Sequence, residues 1–119
     1  MILAVVSDLF FDAKITATAR VVGVEVVAVR TIDAAAARLA DAAVTGLIVD
    51  LSLPAGDPIG FVRAVKASTP GVRVVAFLPH VEADRRRAAK EAGADEVLPR
   101  SRFSETLGAI LGRLGDLEE

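Results

Sequence analysis

Residues 46–57 read GLIVDLSLPAGD, and this stretch decides how the chain is interpreted. Four apolar or small residues lead directly into an acid, Asp50, and a loop with proline and glycine carries the chain to a second acid, Asp57. A carboxylate at the end of a buried strand either takes part in chemistry or simply lies where the strand meets water. The surrounding sequence bears on which alternative holds.

The whole chain has the size and composition of one compact domain. It has 119 residues, of which 53% are hydrophobic and 25% are charged, so it can bury a core but has no room for a second domain. Cysteine is absent, which excludes disulfides, thiolate nucleophiles and cysteine-ligated zinc. We expect a single domain over residues 1–119 with no output domain.

The charge balance excludes some classes of partner. The formal net charge is −2, so the chain lacks the basic excess of proteins that bind nucleic acid or anionic membranes. Neither a leader nor an apolar segment of membrane-spanning length is recognisable in the sequence. We therefore expect a cytoplasmic protein with no nucleic-acid partner and no membrane partner.

Short apolar runs alternate with segments of helical spacing. The runs are rich in β-branched residues, and the first four lack sustained polar alternation, as is typical of strands buried on both faces of a parallel sheet. They lie at residues 2–6, 24–29, 47–49, 72–78 and 96–98. The intervening segments predict helices near residues 11–22, 32–43, 61–65, 82–92 and 103–114.

This alternation predicts an α/β fold with helices on both faces of an open sheet. At this length it indicates a single five-stranded parallel sheet of flavodoxin-like order 2-1-3-4-5, whose ligands lie beyond the carboxyl ends of the strands. Those ends carry Ser7 and Asp8 after strand 1, Asp50 after strand 3, Leu78 after strand 4 and Arg100 after strand 5. Two carboxylates and a guanidinium are therefore expected to converge.

Three stretches at these strand ends resemble the receiver (CheY-like) domain of bacterial response regulators in two-component phosphorelay signal transduction. They are ILAVVSD at 2–8, IVDLSLPAGD at 48–57 and AGADEVLPRS at 92–101. The resemblance implies that Asp50 is the position that accepts a phosphoryl group from a histidine kinase. It also implies a Mg²⁺ held by Asp8, Asp50 and the backbone carbonyl of Ser52, which would neutralise the phosphoryl oxygens during attack.

Four positions depart from the family pattern. Ser7 stands where the family usually has a second acid, so a weakened Mg²⁺ site is expected. Leu78 replaces a hydroxyl residue that contacts the phosphoryl group, and Val97 replaces an aromatic residue that often moves with it. Arg100 replaces a lysine that also contacts the phosphoryl group. Its guanidinium is longer, planar and always charged, and suits pairing with a carboxylate such as Asp50.

Several of the polar and charged residues also have simpler structural interpretations. Asp8 and Asp57 each precede a predicted helix, where a carboxylate serves as an N-cap. His80 has no second histidine or cysteine with which to form a metal site, so a loop histidine is the better interpretation. The basic run that begins at Arg85 has acids around it and is typical of a solvated helix face.

A partner surface is also implied by the resemblance, because the family commonly meets partners or a second copy through helix 4, strand 5 and helix 5. Here it would present Arg85, Arg86, Arg87, Lys90 and Arg102. The expected partners are a histidine kinase or a downstream signalling protein, and a homodimer through the same surface is a further alternative.

Three functions remain open at this point. The departures favour a degenerate pseudo-receiver that binds proteins through its surface whether or not it is phosphorylated. Such a protein is not expected to be an enzyme. The alternative is a working Mg²⁺-dependent receiver phosphorylated on Asp50, because Asp8, Asp50 and a cation at position 100 are retained. The third is an unrelated flavodoxin-like ligand-binding protein. The sequence counts against this function, because it contains no glycine-rich phosphate loop and no Ser/His/Asp set.

Overall fold

The structure is a computed structural model that describes residues 1–41, 43–80 and 82–115. In these ranges five strands form one parallel sheet: β1 (Ile2–Val5), β2 (Val26–Val29), β3 (Gly46–Asp50), β4 (Arg73–Leu78) and β5 (Glu96–Pro99). Their order is β2-β1-β3-β4-β5, and every pair of neighbours is parallel. The predicted fold class and strand order are confirmed. Residues 42, 81 and 116–119, which the predicted domain includes, lie outside the described residues.

Helices connect the strands and cover both faces. They are α1 (Leu9–Val22), α2 (Ile32–Asp41), α3 (Pro58–Ser68), α4 (Ala83–Ala92), α5 (Arg100–Glu105) and α6 (Leu107–Gly115). No helix in the described ranges has both the length and the apolar character needed to cross a membrane.

The last predicted helix is interrupted at Thr106. The backbone N–H of Thr106 donates to the Arg102 carbonyl at 3.1 Å, and its hydroxyl donates to the same carbonyl at 2.8 Å. A side-chain hydroxyl that bonds back to the preceding turn competes with regular helix geometry and bends helices. The single helix expected near residues 103–114 is therefore two segments, α5 and α6, the first of which begins at Arg100.

Two hydrophobic clusters lie on the two faces of the sheet. Because side chains alternate along a strand, neighbouring residues of one strand serve different clusters. Leu3 and Val5 of β1 pack with residues of α2, α3 and α4, whereas Ile2 and Ala4 pack with residues of α1, α5 and α6. The packing of helices on both faces holds the carboxyl ends of the central strands at one edge of the molecule.

One strand departs from the expected burial. All four residues of β2 are only partly buried, whereas β1 and β3 are fully buried along their length. The physical reason is position, since β2 lies at the edge of the sheet and pairs with β1 alone. An apolar run without polar alternation therefore does not require burial on both faces.

Candidate functional site

The predicted site residues lie at the carboxyl-end edge of the sheet. Asp50 is the last residue of β3 and Leu78 the last of β4, while Asp8 follows β1 and Arg100 follows β5. In the sheet register Asp50 is opposite Phe77, one residue before Leu78. The topology thus brings the strand ends to one edge, and the contacts of each side chain decide what that edge can do.

Asp50 is buried and is held by its own loop. It is the one polar or charged residue in the buried class among the described residues, with 1% of its surface exposed. Its Oδ1 accepts hydrogen bonds from the backbone N–H of Ser52 at 2.8 Å and from the Ser52 hydroxyl at 2.6 Å. An ionised carboxylate taken out of water is costly unless it is hydrogen-bonded, so these two bonds offset part of that cost.

Arg100 makes a contact that the sequence did not suggest. Its Cζ lies 5.5 Å from the ring centroid of Phe11, and its buried Nε has no hydrogen-bond partner among the described residues. Phe11 in turn packs against Phe77 and Phe103, with ring centroids 5.2 and 5.8 Å away. Arg100 therefore covers an aromatic cluster, and no ion pair joins it to Asp50 in the described part of the chain.

Leu78 and Val97, the two residues predicted to be altered switch positions, lie in the hydrophobic core. Leu78 is 2% exposed and Val97 is 4% exposed, and both belong to the cluster shared with α2, α3 and α4. Leucine at position 78 offers a methyl surface to that cluster and no donor to the site. The side chains at these positions serve packing.

The residues that would hold a metal form a small oxygen-donor set. Asp8 is exposed, and its Oδ1 caps α1 by accepting from the backbone N–H groups of Phe10 at 2.8 Å and Phe11 at 3.3 Å. Its neighbour Ser7, which the resemblance aligns with a second acid of the family, is partly buried. No group of three or more His, Cys, Asp or Glu side chains able to hold a metal occurs in the described ranges.

Mg²⁺ prefers oxygen ligands and often keeps several waters. Asp8, Asp50 and the Ser52 carbonyl therefore suit its chemistry, but as a minimal set. One oxygen of each carboxylate already accepts hydrogen bonds from the backbone, which leaves one oxygen of each for a cation. The donor set fits a weak metal site.

The other carboxylate of the GLIVDLSLPAGD stretch caps α3. Asp57 Oδ1 accepts from the backbone N–H of Gly60 at 2.9 Å, and Pro58 occupies the first turn of the helix. This geometry is the helix cap that the sequence indicated. The role of Asp57 is structural.

Arg85 reaches the loop that follows Asp50, a contact that sequence reasoning missed. Its Nη2 donates to the Leu51 carbonyl at 2.5 Å, and its Nε lies 3.8 Å from Oε1 of Glu82. The side chain is 42% exposed, so its stem crosses the surface while its head turns inward. The available signal was position, because the first turn of α4 follows the β4 loop at the same edge of the sheet as Asp50.

A cavity of about 400 Å³ separates the loops that follow β3 and β4. Its polar wall includes Ser52, His80, Glu82 and Arg85. His80 lies in the loop after β4 and is exposed, and Asp50 is not among the lining residues. The cavity is next to Asp50, but Asp50 does not line it.

The rest of the predicted basic surface is exposed. Arg86, Arg87 and Lys90 line a shallow depression of about 380 Å³ on α4 together with Ala83. Arg87 pairs with Asp84 at 3.3 Å, within the same helix. Lys90 donates to the Asp95 carbonyl at 3.2 Å, and Arg102 is exposed on α5. These side chains remain available to another molecule.

Solved structures of receiver domains and response regulators share this fold. The chemotaxis response regulator CheY4 of Vibrio cholerae has a TM-score of 0.83 and 23% identity, with coverage of 95% of this chain and 96% of that chain. The Mn²⁺-bound form of response regulator Rcp1 has a TM-score of 0.82 and 16% identity, with coverage of 99% and 96%. The beryllofluoride-activated NtrC4 receiver domain dimer has a TM-score of 0.81 and 20% identity, with coverage of 95% and 97%.

The sequence matched no family model and no curated protein, so the likeness is one of structure. It extends over 95% or more of this chain in each of the three comparisons. The chain therefore has the fold of the receiver domains of response regulators.

Proposed function

We propose that this protein is a receiver-fold signalling module of a two-component system that acts by binding another protein, and that its phosphorylation site is degenerate. The observation that carries the proposal is the position of Arg100, whose guanidinium lies over Phe11 and makes no ion pair with Asp50 in the described residues. The cation that would contact a phosphoryl group is engaged elsewhere.

A phosphoryl group on Asp50 would need donors and cations around its oxygens, because phosphoryl transfer depends on charge stabilisation. Leu78 cannot donate, and the hydroxyl and N–H of Ser52 already serve Oδ1. A bound Mg²⁺ would supply charge neutralisation, with Asp8, Asp50 and the Ser52 carbonyl as its ligands. With so few contacts, phosphorylation is expected to be inefficient.

The binding surface in this proposal is the basic face of α4 with Arg102 of α5. Exposed charges of one sign speed association with an oppositely charged partner and set which partners are rejected. The face would suit an acidic surface on a histidine kinase or on a downstream signalling protein. A second copy of the chain is a less favoured partner, since it would bring the same cations together.

Retention of two carboxylates at one edge favours a second candidate, a Mg²⁺-dependent receiver phosphorylated on Asp50. In that case Oδ2 of Asp50, which accepts no hydrogen bond from the described residues, would be the attacking oxygen. A carboxylate oxygen forms a bond to phosphorus while the bond from phosphorus to the donor breaks, a P–N bond in a kinase phosphohistidine and a P–O bond in acetyl phosphate.

Labelling with a small phosphodonor separates the two candidates. The protein is incubated with Mg²⁺ and acetyl phosphate, and its intact mass is measured before and after hydroxylamine. We expect no stoichiometric adduct on the wild-type chain. A stoichiometric, hydroxylamine-labile adduct that disappears in Asp50→Asn would overturn the degenerate interpretation in favour of the working receiver.

A variant designed to restore the missing contacts serves as the matched control. Combining Leu78→Thr with Arg100→Lys returns a hydroxyl and a lysine to the two positions where the family has them. We expect this variant to be labelled more than the wild type under the same conditions. If both stay unlabelled, the carboxylate pair itself is inadequate, which agrees with a degenerate site.

Binding gives the second test. For a partner isolated with the wild-type chain by cross-linking, the affinity is measured with Asp50→Ala and with the double charge reversal Arg86→Glu and Arg87→Glu. We expect the first variant to bind almost as the wild type and the second to bind more weakly. Loss of binding in Asp50→Ala alone would contradict the proposal.

A further inference from the structure

Helix α4 is connected to the phosphoacceptor loop through one side chain. The Arg85 guanidinium donates to the carbonyl of Leu51, the residue directly after Asp50, at 2.5 Å. Leu51 is 2% exposed, so this carbonyl belongs to a buried residue. Residues 51 and 85 are 34 positions apart in the chain, and the contact therefore ties together two separate elements of the fold.

Three further hydrogen bonds hold the loop that receives this contact. The Leu51 N–H donates to the Phe77 carbonyl at 2.9 Å, and Ser52 donates twice to Asp50 Oδ1. A hydrogen bond from a charged donor is stronger than one between neutral groups. A displacement of the loop would therefore strain or break the hydrogen bond from Arg85, and a displacement of Arg85 would remove that bond from the loop.

The three positions that the receiver resemblance assigns to the switch make no side-chain hydrogen bond or ion pair with Asp50 among the described residues. Leu78 and Val97 are packed in the core, and Arg100 is held against Phe11. Among the described residues, Arg85 is the cation that donates to the backbone next to Asp50. A carboxylate at position 50 attracts a guanidinium bound one residue away, and that attraction falls when the carboxylate is neutralised.

We infer that Arg85 is the positioning residue through which the charge at position 50 is coupled to α4. With Asp50 ionised, Arg85 stays on the Leu51 carbonyl and α4 is held against the loop. When the carboxylate at position 50 is neutralised, the hydrogen bond from Arg85 to the Leu51 carbonyl weakens, and the first turn of α4 is held less firmly against the loop. Arg86, Arg87 and Lys90 are exposed on the same helix, so the coupling changes how firmly α4 is held and not which charges it presents.

Glu82 competes with the Leu51 carbonyl for the Arg85 guanidinium and so weakens this coupling. Its carboxylate lies 3.8 Å from Nε of Arg85 and offers the guanidinium a competing partner on α4 itself. A guanidinium has five N–H donors, so it can hold the Leu51 carbonyl and Glu82 at the same time. Release from the loop leaves Arg85 with Glu82 and does not leave it without a counter-charge.

Amide hydrogen exchange of α4 tests the coupling on the isolated protein. Exchange is followed by mass spectrometry in peptides covering residues 83–92 for the wild type, Asp50→Asn, Arg85→Met and the double variant. We expect Arg85→Met to speed exchange in α4 by roughly tenfold, as the loss of a charge-assisted hydrogen bond implies. Asp50→Asn is expected to speed it by about threefold or more in the wild type, and by clearly less when Arg85 is already absent.

Arg86→Met is the matched control, because Arg86 is exposed on the same helix and has the same charge. It should leave the response to Asp50→Asn unchanged. Arg85→Lys keeps a cation and should retain part of the coupling, and it is used alone if Arg85→Met does not fold. An Asp50→Asn effect that is equal with and without Arg85, or absent from both, overturns the inference.

The inference goes beyond the proposed function, because it concerns how firmly α4 is held and not which partner the helix binds. Its test uses neither a phosphodonor nor a partner. A stoichiometric adduct with acetyl phosphate would contradict the degenerate interpretation but would not affect the exchange result. If Asp50→Asn changes exchange in α4 equally with and without Arg85, the role of Arg85 is contradicted, and the binding proposal is unaffected.

Discussion

The guanidinium of Arg100 lies over the ring of Phe11, with Cζ 5.5 Å from the ring centroid. A cation over an aromatic face contributes roughly 0.5 to 2 kcal/mol, depending on how far it is desolvated. An ion pair with the buried Asp50 would instead require desolvation of two charges, which often cancels the Coulomb gain. The aromatic contact thus withdraws from the site a side chain that the receiver resemblance assigns to phosphoryl contact.

Two double-mutant cycles should separate these two uses of Arg100. Arg100→Met combined with Phe11→Leu removes both members of the aromatic contact, and we expect a coupling free energy of about 0.5 to 1 kcal/mol. Arg100→Met combined with Asp50→Asn should give a coupling below about 0.5 kcal/mol, because the two groups make no ion pair. Urea unfolding of the single and double variants provides both values. A larger coupling with Asp50 than with Phe11 would contradict the geometry.

Asp8 has two separable roles, one as a helix cap and one as a candidate metal ligand. Asp8→Ala should lower the free energy of unfolding by about 0.5 to 2 kcal/mol, because the N–H groups of Phe10 and Phe11 lose their acceptor. Asp8→Ser should cost much less, since serine is an equally good N-cap. Thermal unfolding with and without Mg²⁺ checks the second role, as bound metal stabilises the folded state. Any Mg²⁺ stabilisation of the wild type should be absent from Asp8→Ser although its helix stays capped.

Strand order and the edge of the sheet that carries the site were predictable, because they follow from periodicity and from the rules of parallel sheets. The contacts of long side chains were not. Whether Arg100 meets a carboxylate or the ring of Phe11 depends on packing between residues 89 positions apart. The inward reach of Arg85 depends likewise on where α4 begins relative to the loop after β3.

Two features of the helices and strands were also not predictable from the sequence. The interruption at Thr106 coincides with a hydroxyl that donates to the Arg102 carbonyl, and the apolar stripe of the sequence continues through this position. The partial exposure of β2 follows from its edge position, which composition does not reveal. Periodicity records which face of an element is buried, and says little about breaks in the element or its place in the sheet.

Asp95 connects α3 to the start of β4, and its removal should be costly despite partial exposure. Its Oδ2 accepts from the backbone N–H of Val74 at 2.8 Å and from Nζ of Lys66 at 3.2 Å. Asp95→Ala leaves the Val74 N–H without its acceptor, so we expect a loss of roughly 1 to 3 kcal/mol in the free energy of unfolding.

Asp84 offers the matched control for Asp95. Its side chain is 96% exposed and pairs with Arg87 on the surface of α4. Asp84→Ala should cost less than about 1 kcal/mol, the combined scale of an exposed ion pair and a favourable helix-end charge. Chemical unfolding of both variants makes the comparison. Equal losses would mean that the contact with Val74 contributes nothing beyond surface charge.

Ser52 should stabilise the fold only while position 50 carries a carboxylate. Its hydroxyl donates to Oδ1 of Asp50 at 2.6 Å, and an ionised acceptor makes such a bond worth about 1.5 to 3 kcal/mol. Ser52→Ala in the wild type is therefore expected to lose stability on that scale, since Asp50 is buried and keeps only the backbone donor. In an Asp50→Ala background the same change should cost less than about 0.5 kcal/mol, because no acceptor is left to lose. Ser101→Ala, an exposed serine at the same edge of the sheet, is the control for removal of a hydroxyl. Equal effects of Ser52→Ala in both backgrounds, measured by urea unfolding, would show that the hydroxyl acts through something other than the carboxylate.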